Sequence, residues 1–267
     1  MSQKPLISVV IPCFNDGAYL PETISKLKEQ TYSNFEIIVV NDGSTDQATI
    51  DVLNRLSGDG ITVLHKENGR MSSARNYGVA HAKGSIIAAL DADDYYDASF
   101  FEKAIKILAS KEEVAVVTSH IQMFGDFNKV AKPRGGNAFN FLFSSECPAC
   151  AIVRKSCWDE VGGYDEEMKM GYEDWEFYIR ITQKGWYVEV IQEKLLYYRQ
   201  TSGSTLKNDT VPRRQEIINY IIEKHKDWYI ENLKKLVANK QVLYTESRIA
   251  LPTIFTMLMN RLKKKYT

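Results

Sequence analysis

Three carboxylates stand within four residues at Asp91-Ala92-Asp93-Asp94, directly after the apolar run Ile86 to Leu90. Acids packed this closely repel one another unless a cation or hydrogen-bond donors offset their charge. Hard carboxylate oxygens suit Mg²⁺ or Mn²⁺, ions that commonly hold substrate phosphates as well. The competing reading has one of these acids capping the following helix while the others face solvent. Arg75, in Arg75-Asn76, is a cation that could meet a pyrophosphate, and Lys66 and Arg70 flank the polar loop just before it. Each is equally compatible with a solvated surface charge. Further on, Glu173-Asp174 places two acids at a predicted helix start. Taken alone, they read as first-turn acids favoured by the helix dipole.

The elements that must position these residues follow from hydrophobic periodicity. Ile7 to Ile11 is a β-branched run closed by Pro12, which suits a strand buried on both faces. After the polar turn Asn15-Asp16-Gly17, Leu20, Ile24 and Leu27 recur at helical spacing. Phe35 to Val40 is a second strand, ending in Asn41-Asp42-Gly43-Ser44, and Ser44 or Asp46 caps a helix through Ile50, Leu53 and Leu56. Ile61 to Leu64 predicts a strand, Ser72 to Lys83 a helix, and Ile86 to Leu90 the strand that runs into the acids. Strands and helices alternating at this spacing indicate βαβ units, and so an α/β fold with a mostly parallel sheet flanked by helices. Ligands of such sheets bind beyond the carboxyl ends of the strands. Asn15, Asp42 and Asp91 to Asp94 should therefore converge on one sheet edge.

A helix over Phe101 to Leu108 and a strand over Val114 to Ser119 come next. From His120 to Pro148 the pattern loosens into aromatic-rich segments whose Phe124, Phe127, Phe139, Phe141 and Phe143 read as core ahead of a sugar-stacking surface. Ala151 to Val153 predicts a strand, Trp158 lies in a helix, and Glu173-Asp174 opens another helix. Trp186 to Ile191 and Leu195 to Tyr198 predict two strands. A polar linker, Thr201 to Pro212, leads to helices over Ile217 to Leu236 and Ile249 to Leu262.

Bulk properties exclude several classes. Charged residues are 25% and hydrophobic ones 44%, which argues against extended disorder. Lys+Arg and Asp+Glu each number 34, so bulk charge gives no reason to expect a nucleic-acid partner. No stretch has the roughly 18 consecutive apolar residues of a spanning helix, and the N-terminus lacks the apolar run of a secretory signal. With only four cysteines, a reduced, cytoplasmic protein is expected. Cys147-Pro148-Ala149-Cys150 has no second CxxC and no neighbouring His pair, so it reads as two small, partly buried thiols. Ile254 to Met259 followed by Arg261 and Lys263 to Lys265 suits either an interfacial helix at the inner membrane face or a helix packed on the domain.

The ordered motifs Ile7-Ser8-Val9-Val10-Ile11-Pro12-Cys13-Phe14-Asn15, Val40-Asn41-Asp42-Gly43-Ser44-Thr45-Asp46, Ala74-Arg75-Asn76-Tyr77-Gly78 and Leu90-Asp91-Ala92-Asp93-Asp94 resemble family 2 glycosyltransferases of the GT-A fold. Gly162-Gly163-Tyr164-Asp165 and Glu173-Asp174 continue the resemblance, which covers roughly residues 5 to 205. It implies a nucleotide-sugar half at 1–118 and an acceptor and base half at 119–205, and the pattern beyond reads as a helical C-terminal extension at 206–267. The loop from Pro12 through Phe14 to Asn15 would line the base and ribose, and Asp42 would accept a hydrogen bond from the base, uracil if the donor is a UDP-sugar. Arg75 would sit near base and phosphates. Asp91 would contact the ribose or the metal's water shell, and Asp93 would bind Mn²⁺ or Mg²⁺ bridging the diphosphate. Asp174 would be the general base, kept ionised by the helix dipole, with Glu173 positioning the acceptor or the site. In one respect the sequence departs from the pattern. The family often has a His shortly after a Tyr-Arg pair, whereas Tyr198-Arg199-Gln200 is followed by Thr201, so that third metal ligand is missing.

The function so implied is inverting transfer of a sugar from a nucleoside diphosphate sugar to a hydroxyl acceptor, such as a lipid-linked glycan in cell-surface polysaccharide synthesis. A sugar nucleotidyltransferase is the first alternative, but it would carry a Gly-rich loop after the first strand, where Pro12-Cys13-Phe14-Asn15-Asp16-Gly17 stands. A non-catalytic nucleotide-sugar or glycan-binding protein is the second, and it has no need of the acidic pair Glu173-Asp174.

Overall fold

A computed structural model of the chain describes residues 4–57, 60–169, 171–201 and 211–238. The chain divides into a large unit, Met1–Ile217, and a small C-terminal one, Ile218–Thr267. The large unit is built on one sheet in the order β3-β2-β1-β4-β8-β6-β9-β5, with β7 paired to β6. Its strands are β1 (Ile7–Cys13), β2 (Phe35–Asp42), β3 (Thr62–Lys66), β4 (Ile86–Ala89), β5 (Tyr95–Tyr96), β6 (Val114–Gly125), β7 (Lys129–Ala131), β8 (Ile152–Arg154) and β9 (Tyr187–Gln200). Strands β1, β2, β3 and β4 are mutually parallel. Strand β8 reverses between β4 and β6, and β9 resumes the common direction alongside β6. Only β5, β7 and β8 among the described strands run against the rest, so the sheet is mixed but mostly parallel.

The helices are α1 (Leu20–Lys28), α2 (Gln47–Leu56), α3 (Arg70–Ala80), α4 (Phe100–Ser110), α5 (Lys155–Val161), α6 (Glu173–Gln183), α7 (Arg214–Lys224) and α8 (Lys226–Ala238). Of the two candidates to cap α2, Asp46 does so, its carboxylate accepting from the Thr49 N–H at 2.8 Å. Every residue of β1 is buried, as its unbroken apolar run requires of a central strand flanked on both sides. Its alternate residues Val9 and Ile11 join one continuous core with Leu20, Leu27, Val39, Leu53, Phe100 and Phe101. Each such aliphatic or aromatic side chain contributes roughly 1.5–3 kcal/mol by leaving water. The opposite face of β1 receives α3, and the approach is close at Gly78. A Cβ there would come within 2.4 Å of Val10 Cγ1 and 2.9 Å of Val40 Cγ2. The glycine lets the helix backbone lie against β1 and β2, which brings Arg75, one turn earlier, over the strand ends.

Three expectations are corrected. Trp186 to Ile191 and Leu195 to Tyr198 are not two strands but the single strand β9. The polar Gln192-Glu193-Lys194 that suggested a loop lies at register irregularities, where Ser119 pairs with Ile191, His120 with Lys194 and Ile121 with Leu196. The loosened region also contains more sheet than its pattern implies, because β6 continues to Gly125 and forms a hairpin with β7. The expected helix over Ile217 to Leu236 is two helices separated at His225, although the N–H groups of His225 and Tyr229 still bond to Ile221 and His225. Most of the predicted linker, the helix over Ile249 to Leu262 and the basic cluster Arg261 to Lys265 lie outside the described residues. Among the described residues no helix is long and apolar enough to cross a membrane.

Candidate active site

The carboxyl ends of β1, β2 and β4 meet on one edge, as the alternation of strands and helices requires. After β1, Asn15 takes a left-handed backbone (φ 58°), a conformation Asn tolerates better than most residues. Its side-chain oxygen accepts from the N–H groups of Thr45 and Asp46 at 2.8 and 3.0 Å, and its own N–H donates to Ser44 Oγ at 3.1 Å. Asn15 thus ties the loop after β1 to the loop after β2. Pro12 is buried within β1, while Phe14 projects outward, 45% exposed. At the end of β2, buried Asp42 accepts from Lys66 Nζ at 2.8 Å and from the Gly69 N–H at 2.9 Å. Lys66 is therefore the partner of Asp42, which holds the loop leading into α3. Arg70 opens α3 in a left-handed conformation (φ 70°) and is exposed.

Arg75 was expected beside the base and phosphates. Its guanidinium is buried, donating at 2.7 Å to Asp91 Oδ1 and at 2.7 Å to Glu173 Oε1, with its carbon 5.3 Å from the centre of the Tyr164 ring. One residue on, Asn76 binds both backbone groups of Tyr164: its Nδ2 donates to the carbonyl and its Oδ1 accepts from the N–H, each at 2.8 Å. Helix α3 therefore grips the turn Gly162-Gly163-Tyr164-Asp165 and the start of α6 together. Gly163, at φ +73°, leaves room for this, since a Cβ would lie 2.5 Å from Asn76 Oδ1.

Beyond β4, Thr23 of α1 donates to the carbonyls of Ala92 and Asp94 at 2.8 and 2.9 Å. Asp94 is fully buried, accepting from the Arg199 N–H at 2.8 Å and bonded to the Cys150 thiol at 3.5 Å. Burial, then the charges of Asp91 and Asp93, raises its carboxyl far above the ordinary range. Asp93 is pushed up to about 6 by burial and by Asp91 and Asp16. Asp16 is raised too, by burial and by Asp91. Burial first and mutual repulsion second raise these acids, and a divalent cation bound beside them would act in the opposite direction. Asp91, Asp94 and Cys150 offer ligand atoms within 4.8 Å of one another. Asp94 and Cys150 are spent on each other in the interior, however, and burial pushes the Cys150 thiol well above its usual value. A hard ion that retains several waters would suit the less buried pair Asp91 and Asp93, and Asp16 is near enough for its charge to act on Asp93.

Glu173 and Asp174 form the first turn of α6, entered through Gly171 (φ 96°) and Tyr172 (φ 57°). The Trp175 N–H donates to Asp174 Oδ1 at 2.7 Å. The helix dipole does not keep Asp174 at an ordinary carboxylate value: burial, followed by the charge of Glu173, outweighs it and pushes the group up to about 7. Trp175 anchors the helix from beneath, its ring nitrogen donating to the Phe141 carbonyl at 2.6 Å. Of the loop aromatics, Phe139 and Phe141 are core as read, whereas Phe127 and Phe143 are exposed and Phe124 is half-buried. Cys147 and Cys150 are buried free thiols.

Asp16 and Arg199 are neighbours of the acids that the sequence reading did not single out. Asp16 was legible only as a turn residue. Arg199 lies next to the position where a His ligand was sought, and no local pattern distinguishes it from a solvated charge.

The sequence pattern described as Glycosyl transferase family 2 matches residues 8–162, a span that ends before Glu173-Asp174. An uncharacterized glycosyltransferase of Rickettsia typhi is 31% identical over 217 residues, covering 76% of this chain and 68% of the relative. The chondroitin synthase of Pasteurella multocida is 27% identical over 91% of this chain, which corresponds to 26% of that much longer protein. Among solved structures, S. aureus TarS 1–349 in complex with UDP-GlcNAc matches with a TM-score of 0.70 at 19% identity, covering 92% of this chain and 76% of that one. With the family pattern spanning more than half its length, the chain belongs to glycosyl transferase family 2 and has the GT-A fold.

Proposed function

We propose that the chain catalyses metal-dependent, inverting transfer of a sugar from a UDP-sugar to a hydroxyl of a glycan acceptor. The observation that carries this reading is the Arg75 bridge, because it joins the strand-end acid Asp91 to the acidic turn Glu173-Asp174 across one small space. An inverting displacement needs charge stabilisation for the leaving diphosphate on one side of the anomeric carbon and a base on the other.

In this reading Phe14, Asn15, Pro12 and Asp42 form the base and ribose side of the donor site. Mn²⁺ or Mg²⁺ held by Asp93 and Asp91 supplies, when bound, positive charge to the departing diphosphate. Asp174 takes the proton of the acceptor hydroxyl as the new oxygen–carbon bond forms and the bond to the diphosphate oxygen breaks. A carboxyl near 7 is well matched to that task at neutral pH. Glu173, fixed by Arg75, orients the turn and the acceptor. Residues 1–118 then serve the donor, 119–205 the acceptor and base, and 206–267 form the extension.

The acceptor we infer is a growing glycan, lipid-linked at the inner membrane face and reached through the basic C-terminal stretch. Support comes from the polysaccharide synthase among the relatives and from the positive end of the chain. A thermal-shift screen of UDP-, GDP- and dTDP-sugars with and without Mn²⁺ tests the donor side, since a ligand bound to the folded state raises the melting temperature. Stabilisation by UDP-sugars that requires the metal and disappears with EDTA or in Asp93→Ala is expected. Metal-independent stabilisation, or a response to nucleoside triphosphates alone, contradicts it.

A further inference from the structure

We infer that Arg199 is a positioning residue for the cation site, fixing the Asp93 peptide so that its carboxylate is presented to the ion. This rests on the metal reading above. Strand β9 pairs antiparallel with β5, Tyr95 opposite Tyr197, which brings the end of β9 alongside the acids that precede β5. The Arg199 N–H donates to Asp94 Oδ1 at 2.8 Å, its Nε donates to the Asp93 carbonyl oxygen at 3.1 Å, and its Nη2 donates to Glu22 of α1 at 2.5 Å. The guanidinium carbon lies 4.5 Å from the centre of the Phe124 ring and 5.0 Å from that of Tyr19. The plane is therefore held by two rings, and its edge is held by a carboxylate and a carbonyl.

The choice of acceptor atom is what points to positioning. Among the described residues, no hydrogen bond joins Arg199 to the Asp93 carboxylate; the bond goes to the peptide carbonyl instead. A cation paired with the carboxylate would compete with a metal, whereas one that clamps the backbone leaves both carboxylate oxygens for it. Lysine cannot substitute, because it has no planar fork to contact two rings and two acceptors at once.

Charge and positioning predict opposite signs. Removing a cation from beside an acid group tightens Mn²⁺ binding if charge is all that matters. Losing the clamp weakens it, by about 10- to 100-fold where a residue supporting a ligand is removed. The test is titration of Mn²⁺ in the presence of UDP, read from the electron paramagnetic resonance signal of free Mn²⁺, on the wild-type chain, Arg199→Ala and Arg199→Lys. Thermal unfolding of each reports whether it is folded. Weaker Mn²⁺ binding is expected in both variants, with a loss in Arg199→Lys at least as large as in Arg199→Ala, because lysine keeps the repelling charge without the fork. If Arg199→Ala does not fold, Arg199→Lys decides alone. Unchanged or tighter Mn²⁺ binding in the folded variants overturns the inference and leaves the metal reading intact. A wild-type chain that takes up no Mn²⁺ overturns both.

Discussion

Arg75 and Glu173, 98 residues apart in the chain, are joined by a 2.7 Å ion pair whose arginine is almost wholly withdrawn from water. The same guanidinium holds Asp91 at 2.7 Å, and its Nε has no hydrogen-bond partner among the described residues. Deleting the cation leaves two carboxylates facing each other in a poorly solvated space. Removing one partner of a buried pair costs about 3–5 kcal/mol. Arg75→Met is expected to lose stability on that scale in urea unfolding and to lose transfer activity. Arg75→Lys, which keeps the charge but has one ammonium for two sites, should fall between Arg75→Met and wild type.

Asp174 makes stability depend on pH in a direction that follows from its environment. Its carboxyl, near 7 in the fold, stands above the 3.8 of an unperturbed aspartate. Between those values the folded chain keeps a proton that the unfolded chain has released, so stability from this group falls as pH rises from about 4 to 7 and stays low above. Asp174→Asn removes the cost of ionising the group. The variant should melt at a higher temperature than wild type at pH 8, and the difference should shrink as pH is lowered toward 4. Equal melting temperatures across that range would show that the group titrates normally.

Gly163 and Asn76 form a unit that no single residue type announces. Gly163→Ala meets both a left-handed backbone and the Asn76 oxygen, and strain of this kind costs about 1–3 kcal/mol. Asn76→Ala removes the two bonds to Tyr164 but also the nearer obstruction, leaving Trp158 Nε1 at 2.9 Å. The double variant is expected to lose less than the sum of the two single losses, and a urea-unfolding cycle measures that coupling. Strict additivity would mean that the turn is held by other contacts.

Most of the donor half was legible because its strands are unbroken apolar runs. Val9, Val10 and Ile11 are buried on both sides, and a run of that kind can be little else. The convergence of Asn15, Asp42 and Asp91 to Asp94 followed from βαβ alternation alone. What was not legible is partnership across the chain. Arg75 reads from sequence as a phosphate-facing cation, yet its carboxylate partners are set by how closely Gly78 lets α3 approach the sheet. Strand β9 was split in two because Gln192-Glu193-Lys194 mimics a loop, and only the pairing with β6 shows an irregular but continuous strand. The state of Asp174 was misjudged for a similar reason: the dipole of α6 can be predicted from local sequence, but the burial that outweighs it is a property of the assembled fold.

The central claim is that Asp174 accepts the acceptor's proton, and sugar transfer by Asp174→Asn measures it most directly, with UDP-sugar binding followed in parallel by thermal shift. The amide keeps the shape and the contact to the Trp175 N–H but cannot take up a proton. Transfer is expected to fall by about 10²- to 10⁴-fold while metal-dependent donor binding persists. Near-wild-type transfer by the folded variant would contradict the account.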